Sequence, residues 1–413
     1  MEVVAKRSVI VVGGGIGGLA AALALAQKGI AVRLFEQAPE FKEIGAGIQL
    51  GPNVFRMFEC MGVTDEINKL AVFPESLLMR DSVTGQEVTR ISLGKEFLAK
   101  FKYPYAVIHR ADLHRVLLAA SQRKSLIDLC PATKVEAVEE GSDGVAVRTD
   151  KGERYSAEAL IGADGLWSTI RPLIVNDGKP VVSGHIAYRA VLPTSEMPAQ
   201  LCWQSMALWA GENVHLVHYP LRGGDLFNLV AVFHSSRYEE GWDTFGDVNE
   251  LHQRFAGTCG DVRTLLAKVE SWRMWVLCDR QPVKEWSRGR MTLLGDAAHP
   301  MLQYLAQGAC MAIEDAVCLA DSVEEADGDF AAAFKAYQAA RYLRTGRVQL
   351  MARVYGEAFH ASGVVRELRN MTLAGRTQAD ALASMEWLYG EQPGLGRTFA
   401  KRPANPARLV NAR

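Results

Sequence analysis

Polar side chains of several chemical types gather between a predicted strand and a predicted helix near residue 300. The segment Gly295–Ala316 reads GDAAHPMLQYLAQGACMAIEDA. The apolar run Met291–Leu294 precedes it and predicts a short buried strand, and a helical pattern leaves it. The loop carries an acid, an imidazole, a phenol and two amides: Asp296, His299, Tyr304, Gln303 and Gln307. So many polar groups ahead of a helix start indicate a functional loop.

A glycine-rich turn near the N-terminus has the spacing of a dinucleotide-binding motif. The β-branched run Ser8–Val12 predicts a buried parallel strand, and a helix is expected from the turn to about Lys28. Three glycines between them fit G-x-G-x-x-G: Gly13, Gly15 and Gly18. Glycine lets the backbone approach a pyrophosphate, and a helix N-terminus offers unpaired N–H groups with partial positive charge.

An acidic residue stands where this motif needs one. Ala31–Phe35 predicts a second strand, and Glu36 follows it, roughly 20 residues after the last glycine. A carboxylate there can accept hydrogen bonds from ribose hydroxyls. Dinucleotide binding is therefore predicted, with a glycine turn in an unrelated α/β fold as the alternative. The motif alone does not separate FAD from NAD.

Composition excludes several functional classes. The chain has 413 residues, a net charge of −1 and seven cysteines, none of them in a C-x-x-C pair. Its length predicts two or more domains. Its charge gives no reason to expect a nucleic-acid or anionic-membrane partner. The cysteines are predicted to be free thiols in a reducing, cytoplasmic compartment, and no metal site is predicted.

One segment imitates a signal peptide. KRSVIVVGGGIGGLAAALALAQK has a basic start and an apolar run. Its clustered glycines would weaken the helix that such a signal forms, and the dinucleotide motif explains the segment better. No other segment is long and apolar enough to span a bilayer.

Two later stretches favour FAD over NAD. GADGLWSTIR follows the apolar run Ala159–Ile161, and LLGDAAHP opens the polar loop. With the N-terminal glycine motif, they resemble the three flavin motifs of the group A flavoprotein monooxygenases, the single-component aromatic-ring hydroxylases. The resemblance runs from Val9 to about Arg347. It implies an α/β fold, with a Rossmann-like FAD-binding domain, a mixed β-sheet substrate domain and a C-terminal helical region.

The resemblance also implies a set of cofactor-binding residues. In the family, the aspartate matching Asp296 bonds the ribityl chain, and the following helix points its N-terminus at the flavin ring. IGAGIQLGPN, from Ile44 to Asn53, matches the loop near the ring, and Arg110 matches an arginine near the pyrophosphate or ribityl chain. A turn residue and a surface salt bridge are the alternatives for Asp296 and Arg110. The predicted FAD contacts are Gly13, Gly15, Gly18, Glu36, Gly47, Gln49, Arg110, Asp164, Gly165, Asp296, Gly308 and Ala309.

Two acids in the helix after the loop, Glu314 and Asp315, also match the family pattern. An equally acceptable interpretation is that they are first-turn acids that complement the helix dipole.

A hairpin in the second half of the chain supplies candidate substrate contacts. Val214–Pro220 and Leu226–His234 read as strands joined by a two-residue Gly-Gly turn. Strand alternation puts His215 and Tyr219 on one face and His218 on the other. In the family this sheet covers the substrate side of the flavin. His215, titrating near neutrality, is expected to accept a phenol proton and Tyr219 to anchor a carboxylate; a solvated sheet face is the alternative.

The polar loop narrows the substrate. Its LQYLA segment resembles the 3-hydroxybenzoate 6-hydroxylases, in which a glutamine at the place of Gln303 faces the substrate. This implies NADH (or else NADPH) as electron donor, and hydroxylation by O2, through a flavin C4a-hydroperoxide, of 3-hydroxybenzoate to gentisate. The alternatives are salicylate 1-hydroxylase, 6-hydroxynicotinate 3-monooxygenase, and a non-hydroxylating FAD oxidoreductase or flavin-binding sensor. Arg189 is a weak candidate for binding the carboxylate.

The resemblance organises the chain into three parts. Residues 1–70, 106–180 and 281–330 are expected to form the FAD-binding domain. Residues 71–105 and 181–280 are expected to form the substrate-binding sheet. The remaining part, 331–413, reads as a long helix, further helices and a Pro-rich end, and this region often supports homodimers in the family.

Overall fold

The structure of the protein is a computed structural model that describes residues 7–42, 45–235 and 244–399. Ile44, the first residue of the predicted ring loop, and residues 400–413 lie outside this description. The strands, in chain order, are β1 (Ser8–Val12), β2 (Ala31–Phe35), β3 (Gly47–Leu50), β4 (Ser76–Asp81), β5 (Glu87–Ser92), β6 (Ala106–His109), β7 (Ile127–Cys130), β8 (Val135–Glu140), β9 (Val145–Thr149), β10 (Arg154–Ala157), β11 (Ala159–Gly162), β12 (Val181–Pro193), β13 (Ser205–Gly211), β14 (Val214–Leu221), β15 (Leu226–His234), β16 (Thr244–Phe245), β17 (Arg273–Asp279), β18 (Ser287–Arg288) and β19 (Met291–Leu293).

Helices cover the sheets and form most of the C-terminal region. They are α1 (Ile16–Gln27), α2 (Pro52–Met61), α3 (Thr64–Leu70), α4 (Lys95–Phe101), α5 (Arg110–Gln122), α6 (Arg171–Ile174), α7 (Val248–Arg254), α8 (Gly260–Ala267), α9 (Gly308–Glu325), α10 (Phe330–Phe359), α11 (Gly363–Ala374) and α12 (Gln378–Tyr389). No helix of the described ranges is long and apolar enough to cross a membrane.

A six-stranded sheet carries the glycine motif. Its order is β18-β19-β11-β1-β2-β7, and β1 runs parallel to both β11 and β2. Strands buried on both faces read as continuous apolar runs, which is why Ser8–Val12 and Ala31–Phe35 could be located from sequence. Both predicted strands are confirmed. Helix α1 ends at Gln27, one residue before the predicted limit, and Gly29 follows at φ +79°.

The second large sheet has eight strands in the order β16-β17-β12-β15-β14-β13-β4-β5. All neighbouring pairs are antiparallel except β13 and β4, which are parallel. Strands from 71–105 therefore join strands from 181–280 in one sheet. The predicted α/β class, with a Rossmann-like layer and a mixed sheet, is confirmed.

The predicted turn between β14 and β15 is wrong in length. Leu221 pairs with Leu226, so four residues connect the strands instead of two. Arg222, Gly223 and Gly224 all adopt positive φ values. The two glycines therefore mark the turn correctly, but Arg222 also takes the left-handed conformation, which its residue type does not predict.

The main core lies between the six-stranded sheet and its helices. Helix α9 packs on α1, and apolar side chains such as Leu19, Leu25, Ile313 and Val317 are fully buried there. Each such side chain contributes about 1.5–3 kcal/mol of burial free energy. This rigid layer fixes the loops that precede α1 and α9.

Candidate active site

A cavity of about 530 Å³ lies between the eight-stranded sheet and the loops that follow β1, β11 and β19 of the six-stranded sheet. Three helix N-termini line it: Gly15 precedes α1, Arg110 begins α5 and Gly308 begins α9. His215 and Tyr219 of β14 line the opposite side. Helix N-termini carry partial positive charge and free N–H groups, so one side of the cavity suits an anionic cofactor.

Most of the predicted site residues meet in this one cavity. The residues that line it are Gly15, Gly47, Gln49, Arg110, Gly165, His215, Tyr219, Asp296, Gln303, Gly308 and Ala309. Four predicted cofactor residues stand just behind its wall: Gly13, Gly18, Glu36 and Asp164.

Two motif glycines are required by packing within the protein. A Cβ on Gly13, whose φ is +107°, would lie 2.4 Å from the carbonyl oxygen of Ala163. A Cβ on Gly18 would lie 1.9 Å from the carbonyl oxygen of Gly13. Of these three glycines, only Gly15 lines the cavity. Gly13 and Gly18 therefore allow the strand and the helix to pack closely, while Gly15 leaves space in front of α1.

Glu36 and Asp164 hold the backbone of the cofactor loops. Glu36 accepts hydrogen bonds from the backbone N–H of Gly14 at 2.7 Å and of Ala38 at 2.8 Å. Asp164 accepts from the Ser168 hydroxyl at 2.6 Å and from the Thr169 N–H at 2.7 Å. Burial raises the pKa of Asp164. These bonds fix the turns on which the cavity-lining glycines lie.

The acids after the loop are buried, and the first-turn interpretation is wrong. Helix α9 begins at Gly308, so Glu314 and Asp315 lie beyond its first turn, where both are 0% exposed. Arg341 of α10 donates to each of them at 2.7 Å. Burial alone would raise the pKa of Asp315, but His299 and Arg341 outweigh it and lower that pKa to about 2.

Asp315 also anchors the polar loop. Its Oδ2 accepts from the N–H of Gly295 at 3.1 Å and lies 2.6 Å from Nε2 of His299. The neighbouring Asp296 is left on the cavity wall. The loop is therefore held at its first turn by a buried ion cluster from α9 and α10.

Gly47 brings the predicted ring loop against the substrate sheet. Its N–H donates to the side-chain oxygen of Asn228 at 2.7 Å. A Cβ on Gly47 would lie 2.5 Å from the ring of Tyr219, so only glycine lets β3 approach β14 this closely. The contact places Gln49 and Tyr219 in the same part of the cavity.

His215 lies in the cavity wall, but it does not titrate near neutrality. Burial, with a smaller effect of His185, lowers the pKa of His215 to about 3. Its Nδ1 lies 2.7 Å from Nε2 of His360, at the end of α10. The expectation of near-neutral titration is therefore wrong, because a 3% exposed ring surrounded by other imidazoles cannot readily take up a charge.

Arg189 lies beside the predicted substrate glutamine. Its guanidinium donates to Oε1 of Gln303 and lies 5.2 Å from the ring centre of Trp275. Burial, together with the charge of Arg110, lowers the pKa of Arg189 to about 10, so it remains a cation at neutral pH. Within the described ranges, no acidic side chain forms an ion pair with it. The cavity thus holds a buried cation next to Gln303.

Sequence reasoning separated His218 correctly and missed several other groups. His218 lies outside the cavity, near the rings of Trp203 and Trp209. The side chains that it missed form a cluster of three imidazoles beside the cavity: His185, His234 and His360. The sequence could have revealed this cluster only through the strand register, which pairs His185 with His234 across β12 and β15, and through the length of α10, which ends just before His360.

Comparison with known proteins identifies the family. The model of the FAD binding domain matches residues 6–344. The chain is 45% identical to a 3-hydroxybenzoate 6-hydroxylase of Polaromonas naphthalenivorans (strain CJ2) over 94% of its length and 97% of the relative's. It is 46% identical to a 3-hydroxybenzoate 6-hydroxylase of Klebsiella oxytoca, over 92% and 96% of the two chains. The chain belongs to the FAD-dependent aromatic-ring hydroxylases.

A solved structure supports the cofactor and the fold. HpxO of Klebsiella pneumoniae, complexed with FAD and uric acid, aligns with a TM-score of 0.82 at 27% identity, covering 94% of this chain and 99% of HpxO. FAD is the cofactor of this family of monooxygenases. The residues here fit it: the N-termini of α1 and α5, with the Arg110 side chain, suit a diphosphate, and the open position at Gly15 leaves room for it.

Proposed function

We propose that this hydroxylase converts 3-hydroxybenzoate to gentisate, using NAD(P)H and O2. The overall reaction consumes 3-hydroxybenzoate, O2, NAD(P)H and a proton, and it yields gentisate, NAD(P)+ and water. The observation that carries the proposal is the cavity itself. It joins a cofactor side, made of three helix N-termini, to a part where a cation, a neutral imidazole and an amide line the wall: Arg189, His215 and Gln303. The names of the two relatives at 45% and 46% identity support the choice of substrate.

Asp296, Gly308 and Ala309 would hold the flavin ring and ribityl chain, with Gly15 and Arg110 nearer the diphosphate. When bound and reduced by NAD(P)H, FAD would activate O2, so that one oxygen atom enters the substrate ring and the other leaves as water. The protein must keep water away from that site and orient the substrate. Apolar side chains such as Val217, Val230 and Leu302 line the same cavity and would keep water out of it.

Arg189 is proposed to bind the substrate carboxylate, together with Tyr219. A buried guanidinium without an acidic partner is stabilised when a carboxylate ligand arrives, because a charge-assisted hydrogen bond replaces an uncompensated charge. Tyr219 is 2% exposed and its pKa is raised by burial, so it stays a neutral donor. This assignment strengthens the role of Arg189 relative to the sequence expectation.

His215 and Gln303 are proposed to bind the phenol group. Because Arg189 occupies Oε1 of Gln303, the Nε2–H2 end of this amide is the one available to donate to a phenol or phenolate oxygen. His215 is neutral and can hydrogen-bond the phenol oxygen, which orients the ring. Electron density pushed into the ring from that oxygen activates the carbon para to it, which is C6 of 3-hydroxybenzoate.

A substrate panel tests the proposal. NADH and NADPH oxidation, O2 consumption and product identity are measured with 3-hydroxybenzoate, salicylate, 4-hydroxybenzoate and 6-hydroxynicotinate. The expected result is gentisate from 3-hydroxybenzoate at the highest kcat/KM. Catechol from salicylate as the main product would select the salicylate 1-hydroxylase alternative. Substrate-stimulated NAD(P)H oxidation without any hydroxylated product would select a non-hydroxylating oxidoreductase.

A further inference from the structure

A hydrogen-bonded chain leads from the cavity wall to the protein surface. Tyr304 lines the cavity, and its hydroxyl lies 2.5 Å from Nδ1 of His185. Nε2 of His185 lies 2.5 Å from Nε2 of His234. Tyr304 and His185 are buried, at 7% and 6% exposure, whereas His234 is exposed. We call Tyr304, His185 and His234 the exit chain.

The neighbouring pair His215–His360 does not reach solvent. His215 shares a hydrogen bond with Nε2 of His360. Nδ1 of His360 is buried and has no hydrogen-bond partner among the described residues. A proton that passed from His215 to His360 would therefore have no onward hydrogen bond. Of these two routes, only the exit chain ends at water.

We infer that Tyr304, His185 and His234 conduct the phenol proton of the substrate from the pocket to solvent. The inference rests on the proposed phenolic substrate. The Tyr304 oxygen accepts a proton on its pocket side while its own O–H proton passes to Nδ1 of His185. The Nε2–H proton of His185 passes to Nε2 of His234, which releases a proton to water. Tyr304 and His185 each give one proton and receive one, so both stay neutral, and the only charge left in the pocket is that of the substrate phenolate.

The surroundings of the chain favour this concerted transfer over storage of a proton. Burial and the neighbouring His234 lower the pKa of His185 to about 4, and burial raises the pKa of Tyr304. Both groups are therefore neutral at neutral pH. His215 and His360 flank the chain as further neutral imidazoles, since burial lowers the pKa of each.

The surface end of the chain has a different charge environment. Glu357 of α10 raises the pKa of His234 and that of Tyr304, whereas Arg254 of α7 lowers the pKa of His234. Burial still lowers the pKa of His234 overall. An exposed imidazole beside one acidic and one basic side chain can exchange a proton with water without holding a permanent charge.

The test measures proton release and hydroxylation together. Stopped-flow mixing of the FAD-loaded enzyme with 3-hydroxybenzoate, in weak buffer with a pH indicator, follows the phenol proton. Tyr304→Phe and His185→Asn are expected to slow proton release and hydroxylation by about a hundredfold, while the substrate Kd changes little. Tyr342→Phe and His252→Asn are the matched controls, because neither side chain lines the cavity or joins the chain. Both controls should match the wild type.

The exposed end allows a rescue experiment. His234→Ala is expected to lose about tenfold in the rate of proton release, and added free imidazole should restore it in a concentration-dependent way. A purely structural role of His234 would not be rescued by imidazole. FAD content and Tm of each variant separate loss of folding from loss of proton transfer, and His185→Gln serves as a second variant if His185→Asn fails to fold.

Three results would overturn the inference. The first is a wild-type rate of proton release in Tyr304→Phe and His185→Asn. The second is a stoichiometric divalent ion in the purified enzyme that is lost in His234→Ala. One ring nitrogen each from His185, His234 and His360 lies within 4.8 Å of the others, and a metal-bound nitrogen cannot relay a proton. The third is a wild type that hydroxylates no compound of the panel, which refutes the proposed function as well; normal hydroxylation with unaffected variants refutes the exit chain alone.

Discussion

At neutral pH the imidazole of His215 carries no positive charge, because burial lowers its pKa to about 3. At the proposed phenol site it would therefore orient the phenol oxygen without storing the proton. Sequence alternation located His215 and Tyr219 on the cavity side, since a strand exposes every second residue to one face. It could not reveal the protonation state, which depends on burial in the folded protein and, to a smaller extent, on His185 from a distant part of the chain.

His215→Ala is expected to slow hydroxylation by about a hundredfold or more, with extra release of hydrogen peroxide and normal FAD binding. Gln303→Ala should act in the same direction but more weakly, because Arg189, beside Gln303, remains to hold the substrate. The measurement is gentisate formed per NAD(P)H oxidised. Full coupling at the wild-type rate in both variants would remove these residues from the phenol site.

Arg189→Met tests the carboxylate site. Loss of a charge-assisted hydrogen bond of about 1.5–3 kcal/mol should raise the KM for 3-hydroxybenzoate roughly tenfold to hundredfold. Binding of a phenol without a carboxylate, measured by the flavin difference spectrum, should change much less. Equal losses for both ligands would show that Arg189 supports the pocket without contacting the carboxylate. Arg273→Met, outside the cavity lining, is the control.

His218 makes stability depend on pH. Burial lowers its pKa to about 3 from an ordinary 6.5, so below about pH 6.5 the unfolded chain binds a proton that the folded chain refuses. The neutral His218 ring therefore costs no stability above pH 6.5, and its effect lowers the free energy of unfolding as the pH falls from 6.5 toward 3. We therefore compare the free energy of unfolding of His218→Leu with that of the wild type. In urea unfolding, this difference should favour the variant by about 2 kcal/mol more at pH 5 than at pH 7. An equal difference at both pH values would contradict this.

Among the elements, the loop before α9 shows what a local pattern can and cannot predict. The apolar run before it and the helical period after it predicted β19 and α9, because burial on a fixed period is a local property. The burial of Glu314 and Asp315 was not predictable, since their partner Arg341 comes from α10. Likewise, the Gly-Gly pair marked the β14–β15 turn, while its length depended on strand register.

Arg341→Met tests the link between α9 and α10. It leaves the buried Asp315 without a guanidinium partner and Glu314 with Arg344 alone, which should cost about 3–5 kcal/mol in the free energy of unfolding. FAD affinity should fall too, because Asp315 holds the N–H of Gly295 at the start of the flavin loop. Arg347→Met, on the exposed side of the same helix, should cost about 1 kcal/mol or less. Urea unfolding and FAD titration measure the two effects, and similar losses in both variants would refute the special role of Arg341.

In the whole molecule, the flavin side was more predictable from sequence than the substrate side. The flavin motifs are continuous in the chain, and strand, turn and helix follow one another within each of them. The substrate pocket combines β3, β12, β14 and the loop before α9, so Arg189 and Gln303 meet only through the fold. For that reason the cofactor could be assigned from sequence motifs, whereas the residue that contacts the carboxylate or the phenol of the substrate could not.

The cavity that joins the two parts also predicts how flavin binding responds to substitution. Asp296 lies on the cavity wall beside the start of α9, and its proposed bond to the ribityl chain is worth about 1.5–3 kcal/mol. Asp296→Ala should therefore weaken FAD binding roughly tenfold to hundredfold and reduce the rise in Tm that FAD produces, while the order of preference among panel substrates stays the same. Asp65→Ala, exposed on α3, is the control. Fluorescence titration of the apoprotein measures the affinity, and an unchanged Kd for FAD would place the ribityl contact on another residue.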